Sequence, residues 1–80
     1  MTNLEKYQNV FVEAFETSKE SLEDLKYQDI PEWDSMGHMT MIALLEDAFD
    51  IMFEMDDIID FSSFKKGIET LNKYGVDIYA

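Results

Sequence analysis

The most informative stretch of this chain is residues 33–49, WDSMGHMTMIALLEDAF. Asp34 precedes an apolar run, and an aspartate in that place accepts hydrogen bonds from the free amides of a helix N-terminus. The run therefore predicts a helix that begins after Asp34 and continues to about Phe49. Four of its apolar residues follow the spacing of a core-facing stripe. They are Met41, Ile42, Leu45 and Phe49.

A second apolar stripe lies on a neighbouring face of the same predicted helix. It consists of Met36, Met39 and Ala43, with Thr40 and Asp47 beside them. One stripe suffices for the core of a small domain, so we expect the second to be only partly covered. Exposed methionine beside carboxylates is typical of an adaptable protein-binding surface. The alternative is a helix that is buried on both sides.

The N-terminal part of the chain predicts a helix followed by a long loop. Thr2 and Glu5 have the spacing of a capping box, and apolar residues recur at helical spacing over residues 2–16. Residues 17–33 have no such period, and isolated apolar residues such as Trp33 are expected to pin this segment to the core. A structureless connection of this length is uncommon in a small domain and is usually functional.

The C-terminal part of the chain predicts one short helix and one longer helix. Residues 56–60 are expected to form a single helical turn, and Ser62 or Ser63 to cap the last helix, with Gly75 at its C-terminal end. Only the last few residues alternate in the manner of a strand. We therefore expect an all-α fold, a small four-helix bundle with three long helices and one short, and a long loop between helices one and two. A single domain should span residues 1–80.

The chain is strongly acidic: its 80 residues include 18 Asp and Glu against 6 Lys and no Arg, a formal net charge of −12. Every charged residue between Lys26 and Lys65 is a carboxylate. Such a surface repels nucleic acid and anionic lipid, so we expect neither as a partner, and it attracts basic proteins. The alternative is a solvated face that only keeps the protein soluble. Since no leader sequence and no apolar span are evident, we expect a cytoplasmic protein.

Few residues of the chain are suited to catalysis. It has no Cys and one histidine, which excludes a disulfide framework and argues against a structural zinc site. Ser35 and His38 are three residues apart on the predicted helix, but a hydrolase pairing also needs a third group and an oxyanion hole. The carboxylates do not follow the spacing of a calcium-binding loop. We therefore expect neither an enzyme nor a metal site.

Ser35 is placed where a covalent modification would be well accommodated. Its hydroxyl lies at the junction of the long loop and a helix N-terminus. Free amides and the positive end of the helix dipole favour a phosphate group there, so a phosphodiester on Ser35 is compatible with the local structure. The alternative is an ordinary serine of a first helical turn, a place where serine is common.

The stretch that begins Trp33-Asp34-Ser35-Met36 resembles the signature of the acyl carrier protein family, in which Asp-Ser-Leu leads into an apolar helix that ends in an acidic stretch and Phe. The matching residues continue with Met39, Met41, Ile42, Leu45, Glu46 and Phe49. The pattern can be followed without a gap from Asp34 to about Leu71. The run Trp-Asp-Ser-x-x-His-Met looks like that of stand-alone carriers of specialised bacterial pathways.

The resemblance implies a carrier protein that is not itself an enzyme. Ser35 would bear a 4′-phosphopantetheine arm, derived from coenzyme A, whose thiol holds acyl or aminoacyl groups as thioesters. The implied setting is lipid or secondary-metabolite biosynthesis. The expected partners are a phosphopantetheinyl transferase, an acyl- or aminoacyl-loading ligase, and acyltransferase or condensing enzymes. The carrier itself is expected to be a monomer.

The resemblance also makes the helix after Ser35 the recognition helix for those partners. The implied docking residues are Asp34, Met36, Met39, Thr40, Ala43, Glu46, Asp47, Asp50, Asp56 and Asp57. Met36 replaces the usual Leu, and Thr40 stands where many fatty-acid carriers have Glu, which argues against a role in fatty-acid synthesis. The competing function is an unmodified acidic helical adaptor or inhibitor module that binds a basic protein.

Overall fold

Four α-helices form the framework of residues 2–79. The structure, a computed structural model, describes residues 2–79, so the domain predicted over residues 1–80 extends one residue beyond this range at each end. The helices are α1 (Asn3–Phe15), α2 (Ser35–Phe49), α3 (Met55–Asp60) and α4 (Phe64–Lys73). Within the described range there is no β-strand, only an isolated bridge between Lys26 and Ser63. The prediction of an all-α fold is therefore confirmed for residues 2–79. None of the helices in this part of the chain has the length and apolar character needed to cross a membrane.

α1 begins with the capping box that the sequence predicts. The Thr2 hydroxyl accepts from the Glu5 amide at 3.1 Å, and the Glu5 carboxylate accepts from the Thr2 amide at 3.3 Å. The predicted range of 2–16 is one residue too long at each end. Thr2 is the cap rather than a helical residue, and Glu16 leaves the helix with a left-handed φ of 53°. The buried face of α1 carries Tyr7, Val10, Phe11 and Phe15.

The core is aromatic and includes Trp33. This side chain is fully buried, with its ring centroid 5.0 Å from that of Phe15 and 5.5 Å from that of Phe11. Leu22 and Leu25 are also buried in the segment between α1 and α2, which contains one 3₁₀ turn. Burial of large apolar side chains stabilises the segment that carries them. The long connection is therefore anchored in the core up to the residue before Asp34.

α2 starts where the sequence predicts. Asp34 is the N-cap, and its Oδ1 accepts from the Gly37 amide at 2.8 Å. Gly37 has a second role, because a Cβ at this position would overlap the carbonyl oxygen of Glu32. Glycine thus lets the incoming chain pass close to the first helical turn. The loop and the N-terminus of α2 form one tightly packed corner.

α3 and α4 follow one another closely in the chain. α3 includes Met55, one residue more than predicted. Ser63, one of the two predicted caps, precedes α4 and accepts a hydrogen bond from a backbone amide of its first turn. Tyr74 is the C-cap, and Gly75 follows it with φ 82°. This left-handed conformation suits glycine at a helix end, so Gly75 lies one residue past its predicted role.

The buried hydroxyl of Tyr7 joins α1 to α4. It donates to the carbonyl oxygen of Phe64 at 2.6 Å. Burial raises the pKa of Tyr7 well above its ordinary value, because the charged phenolate would lose its hydration. The hydroxyl therefore keeps its proton and its role as a donor.

Candidate functional site

Ser35 is the first residue of α2, and its side chain is exposed. Two preceding residues hold it in place: Trp33 is buried in the core, and Asp34 caps the helix through the Gly37 amide. The hydroxyl is therefore presented to solvent at the N-terminus of a 15-residue helix. The positive end of the helix dipole favours an anionic group at this position.

A cavity of about 360 Å³ opens beside Ser35, between α2 and α3. Its lining consists of Tyr27, Ser35, His38, Met39, Met55, Ile58, Ile59, Phe61 and Ser62. No Asp, Glu or Lys side chain belongs to this lining, and most of its residues are apolar. The cavity suits an uncharged aliphatic group, because a charged group would lose hydration there without gaining a partner. The sequence alone did not predict a cleft in so small a bundle.

His38 lies in the wall of this cavity and is 8% exposed. Its Nδ1 accepts a hydrogen bond from the Trp33 indole at 2.9 Å, and its Nε2 is 2.8 Å from the Ile58 carbonyl oxygen. Because an indole N–H can only donate, Nδ1 carries no proton and Nε2 donates to Ile58. Both ring nitrogens are thus occupied. The imidazole has no nitrogen left to serve Ser35 as a base, which agrees with the argument against a hydrolase pairing.

The second stripe of α2 is exposed, as the sequence predicts. Met36 and Met39 are 79% and 52% exposed, and Thr40, Ala43 and Asp47 are exposed beside them. The alternative of a helix buried on both sides is therefore wrong. The core-facing stripe is only partly as predicted. Its buried members are Met41, Ile42 and Leu45, whereas Phe49 is half-buried.

α3 adds exposed apolar side chains that sequence reasoning did not assign to the site. Met55 and Ile59 are 69% and 70% exposed, and both line the cavity from the α3 side. Their spacing of four residues places them on one helix face, so this signal was present in the sequence. Tyr27, in the segment before α2, is 37% exposed and adds its ring to the cavity.

Three of the predicted docking carboxylates have structural partners: Asp34 caps α2 and is exposed, whereas Asp57 and Glu46 are less exposed. The Asp57 side chain is 12% exposed and accepts from the Lys73 ammonium at 2.6 Å and from the Tyr74 hydroxyl at 2.5 Å. The hydrogen bond from Lys73 holds the pKa of Asp57 below its ordinary value. The Glu46 carboxylate accepts from the Phe53 amide at 2.8 Å. We leave Asp57 and Glu46 out of the surface described next, because Asp57 is buried and Glu46 half-buried, whereas Asp34 is exposed.

The remaining predicted docking residues share one character: they are exposed and either apolar or acidic, apart from Thr40. We call this surface the docking face. It consists of Asp34, Met36, Met39, Thr40, Ala43 and Asp47 with Met55, Asp56 and Ile59 of α3. Asp50, at the C-terminal end of α2, is exposed as well. The docking face contains no cationic residue, so its potential attracts basic surfaces.

Comparisons with known proteins assign no family to the chain: no protein-family model matches it, and no curated protein matches its sequence. Within residues 2–79, no group of three or more His, Asp or Glu side chains is placed to hold a metal ion. Of the two exposed serines that line the uncharged cavity, Ser35 and Ser62, Ser35 lies at the N-terminus of a long helix.

Proposed function

We propose that this protein is an acyl carrier that bears a 4′-phosphopantetheine arm on Ser35 and delivers acyl groups, held as thioesters on that arm, to partner enzymes. One observation carries the proposal: an exposed serine hydroxyl lies at a helix N-terminus and at the mouth of an uncharged cavity. This placement supports the resemblance of the Asp34-Ser35-Met36 stretch to the acyl carrier protein family. Such a carrier is not an enzyme, because the reactive thiol belongs to the attached group.

The surroundings of Ser35 fit a phosphopantetheine group. A phosphodiester on the hydroxyl would lie at the N-terminus of α2, where amides and the helix dipole stabilise negative charge. The Asp34 carboxylate already takes the Gly37 amide, so other amides of the first turn would serve the phosphodiester. When attached, the group supplies a thiol, which the chain itself lacks because it has no Cys. The exposure of Ser35 gives a loading enzyme access to the hydroxyl.

The cavity beside Ser35 favours acyl cargo over aminoacyl cargo. An aliphatic chain gains about 0.8 kcal/mol for each methylene that it buries. An ammonium group would have to give up its hydration there, and no carboxylate lines the cavity to pair with it. The ring of His38 provides no acceptor either, because its Nδ1 is taken by Trp33. We therefore propose an uncharged aliphatic acyl group as the cargo and an acyl-loading ligase as its source.

The docking face is the surface that we propose for the enzymes that load and unload the arm. Basic patches on a phosphopantetheinyl transferase, a loading ligase, and acyltransferase or condensing enzymes would be drawn to its carboxylates. Charge attraction of this kind raises association rates and weakens as salt is added. A monomeric, cytoplasmic carrier that visits several enzymes must release each of them, so small interfaces with charged rims are expected.

Incubation with a phosphopantetheinyl transferase and coenzyme A tests this proposal. We expect the intact mass of the wild-type chain to increase by one phosphopantetheinyl group, and that of Ser35→Ala to stay unchanged. Ser62→Ala is the matched control, because Ser62 is also exposed and also lines the cavity. It should be loaded like the wild type. Loading of Ser35→Ala, or a failure of Ser62→Ala to load, would show that the attachment site is assigned to the wrong residue.

The intact mass of the protein from its native host separates the carrier from the competing function. Exposed methionines beside carboxylates also suit an unmodified adaptor or inhibitor of a basic protein, because such surfaces adapt to different partners. An adaptor stays at its polypeptide mass, whereas a carrier gains the arm in a host that has its loading enzyme. A native preparation that never shows the added mass would favour the adaptor.

A further inference from the structure

α3 is held beside the cavity by polar contacts rather than by a long apolar face: besides the two described next, Asp57 accepts from the Tyr74 hydroxyl, which itself accepts from the Glu54 amide. It has six residues, of which Met55 and Ile59 are exposed. On the side toward α4, Asp57 is paired with a lysine. On the side of the cavity, the Ile58 carbonyl oxygen accepts from His38 Nε2 at 2.8 Å. A helix this short gains little stability from its own hydrogen bonds, so its position depends on such contacts.

We infer that His38 is a positioning residue for the cavity: its Nε2–H holds the last turn of α3 against α2 and so limits the size of the group that the cavity accepts. The inference deepens the proposed function and rests on it for the natural occupant, an aliphatic acyl chain. The hydrogen bond and the cavity themselves are features of the unmodified chain.

Trp33 sets the direction in which His38 donates. The indole is fully buried and donates to Nδ1 at 2.9 Å, which leaves the ring proton on Nε2, the nitrogen that faces α3. The indole and imidazole planes are nearly parallel, at 15°, with centroids 6.2 Å apart. The rings of Tyr27 and Phe61 also contact the imidazole, with interplanar angles of 71° and 73°. The imidazole is thereby confined to the orientation that meets Ile58.

The Ile58 carbonyl needs this donor because of its place in α3. It is one of the last four carbonyls of the helix, and these have no amide partner within the helix. Without His38 this part-buried oxygen beside the apolar cavity would lose its donor, and only water could replace it. The helix can regain a donor by moving outward until the oxygen reaches water. The hydrogen bond therefore keeps α3 in its inward position.

The position of α3 in turn sets the width of the cavity. One wall comes from α2 through Ser35 and Met39, and the other from α3 through Met55, Ile58 and Ile59. Any outward movement of α3 separates these walls. A wider cavity buries more methylenes of a straight chain, and each one buried raises the affinity about fourfold. His38 is thus expected to set the chain length at which affinity stops rising.

Two substitutions separate the two hydrogen bonds of His38. His38→Asn places an amide oxygen near the position of Nδ1, so the acceptor for Trp33 is kept, but the side chain is too short to reach Ile58. His38→Gln places an amide nitrogen near the position of Nε2, so the donor to Ile58 is kept and the acceptor for Trp33 is lost. If the bond to α3 sets the cavity, only His38→Asn should widen it.

Binding of straight-chain alcohols to the unmodified protein measures the size limit directly. The series from hexanol to dodecanol would displace the uncharged fluorescent probe N-phenyl-1-naphthylamine. We expect the affinity of wild type and His38→Gln to stop rising at the same chain length. In His38→Asn the affinity should keep rising for at least one further methylene. The longest alcohol should therefore bind this variant about fourfold more tightly than it binds the wild type. The same limit in all three proteins would overturn the inference, as would binding of no alcohol by any of them.

Hydrogen exchange shows whether α3 alone is released. Loss of one hydrogen bond is expected to raise local opening about fivefold, so the amides of Ile58 to Asp60 should exchange about fivefold faster in His38→Asn. The amides of α1 and α4 should keep their wild-type rates. Faster exchange in all helices to the same extent would contradict the inference, because it would show a general loss of stability. Selective release of α3 in His38→Gln would contradict it as well.

Long-range ¹H–¹⁵N spectra of the wild-type imidazole test the assignment without any substitution. We expect the ring proton on Nε2, and a proton on Nδ1 would overturn the inference even if neither variant folded. All of these measurements use the chain before loading. If the protein does not load on Ser35 but the alcohols show the expected chain-length limits, the proposed function alone is refuted. If the protein loads but all three proteins show the same chain-length limit, the role of His38 alone is refuted.

Discussion

Replacement of Asp34 by Ala is expected to lower the stability of the whole domain, because Asp34 caps the helix that carries the site. Its Oδ1 accepts from the Gly37 amide at 2.8 Å, and its extended backbone has the conformation of an N-cap. Loss of such a cap costs about 1 kcal/mol. With an unfolding entropy of about 2.1 cal/mol/K per residue, this corresponds to a Tm lower by about 6 °C in a domain of 80 residues.

Asp34→Asn is the matched control for this effect. An asparagine oxygen accepts the same hydrogen bond, so most of the stability should be kept, while the negative charge of the docking face is reduced. Thermal unfolding followed by circular dichroism would give the Tm of each variant. If Asp34→Ala melts at the wild-type temperature, or if Asp34→Asn loses as much as Asp34→Ala, the capping role of the side chain is refuted.

The same pair of variants separates folding from docking. Because Asp34→Asn keeps the cap, a slower loading rate in this variant would report on charge rather than on stability. We expect its loading by the transferase to be slower than that of wild type at low ionic strength and the difference to shrink as salt is added, since screening removes the contribution of an exposed charge. Equal rates at low salt would show that Asp34 takes no part in docking.

Two further predictions concern charge. In the wild type, the ion pair with Lys73 lowers the pKa of Asp57 and raises that of Lys73. Asp57→Asn removes this ion pair. The stability advantage of wild type should therefore be greatest near neutral pH. The advantage should decline as pH falls through the lowered pKa of Asp57, and also as pH rises through the raised pKa of Lys73. Urea unfolding of both proteins at several pH values would measure the difference in stability. A difference that stays constant with pH would contradict the assignment of the ion pair. Secondly, added NaCl should raise the Tm of the wild type by screening a net charge of −12, and a flat Tm would show that carboxylate repulsion does not limit stability.

The local features of this molecule were predictable because their causes are local. The capping box at Thr2 and the cap at Asp34 join residues three positions apart, so they can be identified from spacing alone. The exposed stripe that contains Met36 also follows from spacing, together with the small size of the domain. The exposure of Ser35 at the start of α2 required only that the helix begin where its cap predicts.

The features that were missed depend on partners far along the chain. Asp57 looked like one more surface carboxylate until the structure placed it against Lys73, sixteen residues later. His38 had no visible partner in sequence, because one of its bonds goes to the backbone carbonyl of Ile58. Every amino acid supplies a backbone carbonyl, so the residue type at position 58 does not show that its carbonyl accepts this hydrogen bond. The cavity arises from how α2 and α3 approach each other, which neither helix encodes by itself.

The burial of Trp33 gives the protein an intrinsic optical probe of its own site. It is the only tryptophan of the chain, lies two residues before Ser35, and donates its indole N–H to His38. Emission excited selectively at the indole therefore originates next to the proposed attachment point and the cavity wall. Loading of the serine, entry of an aliphatic group or contact with an enzyme at this end of α2 can each be followed in real time, without attaching a dye to the molecule.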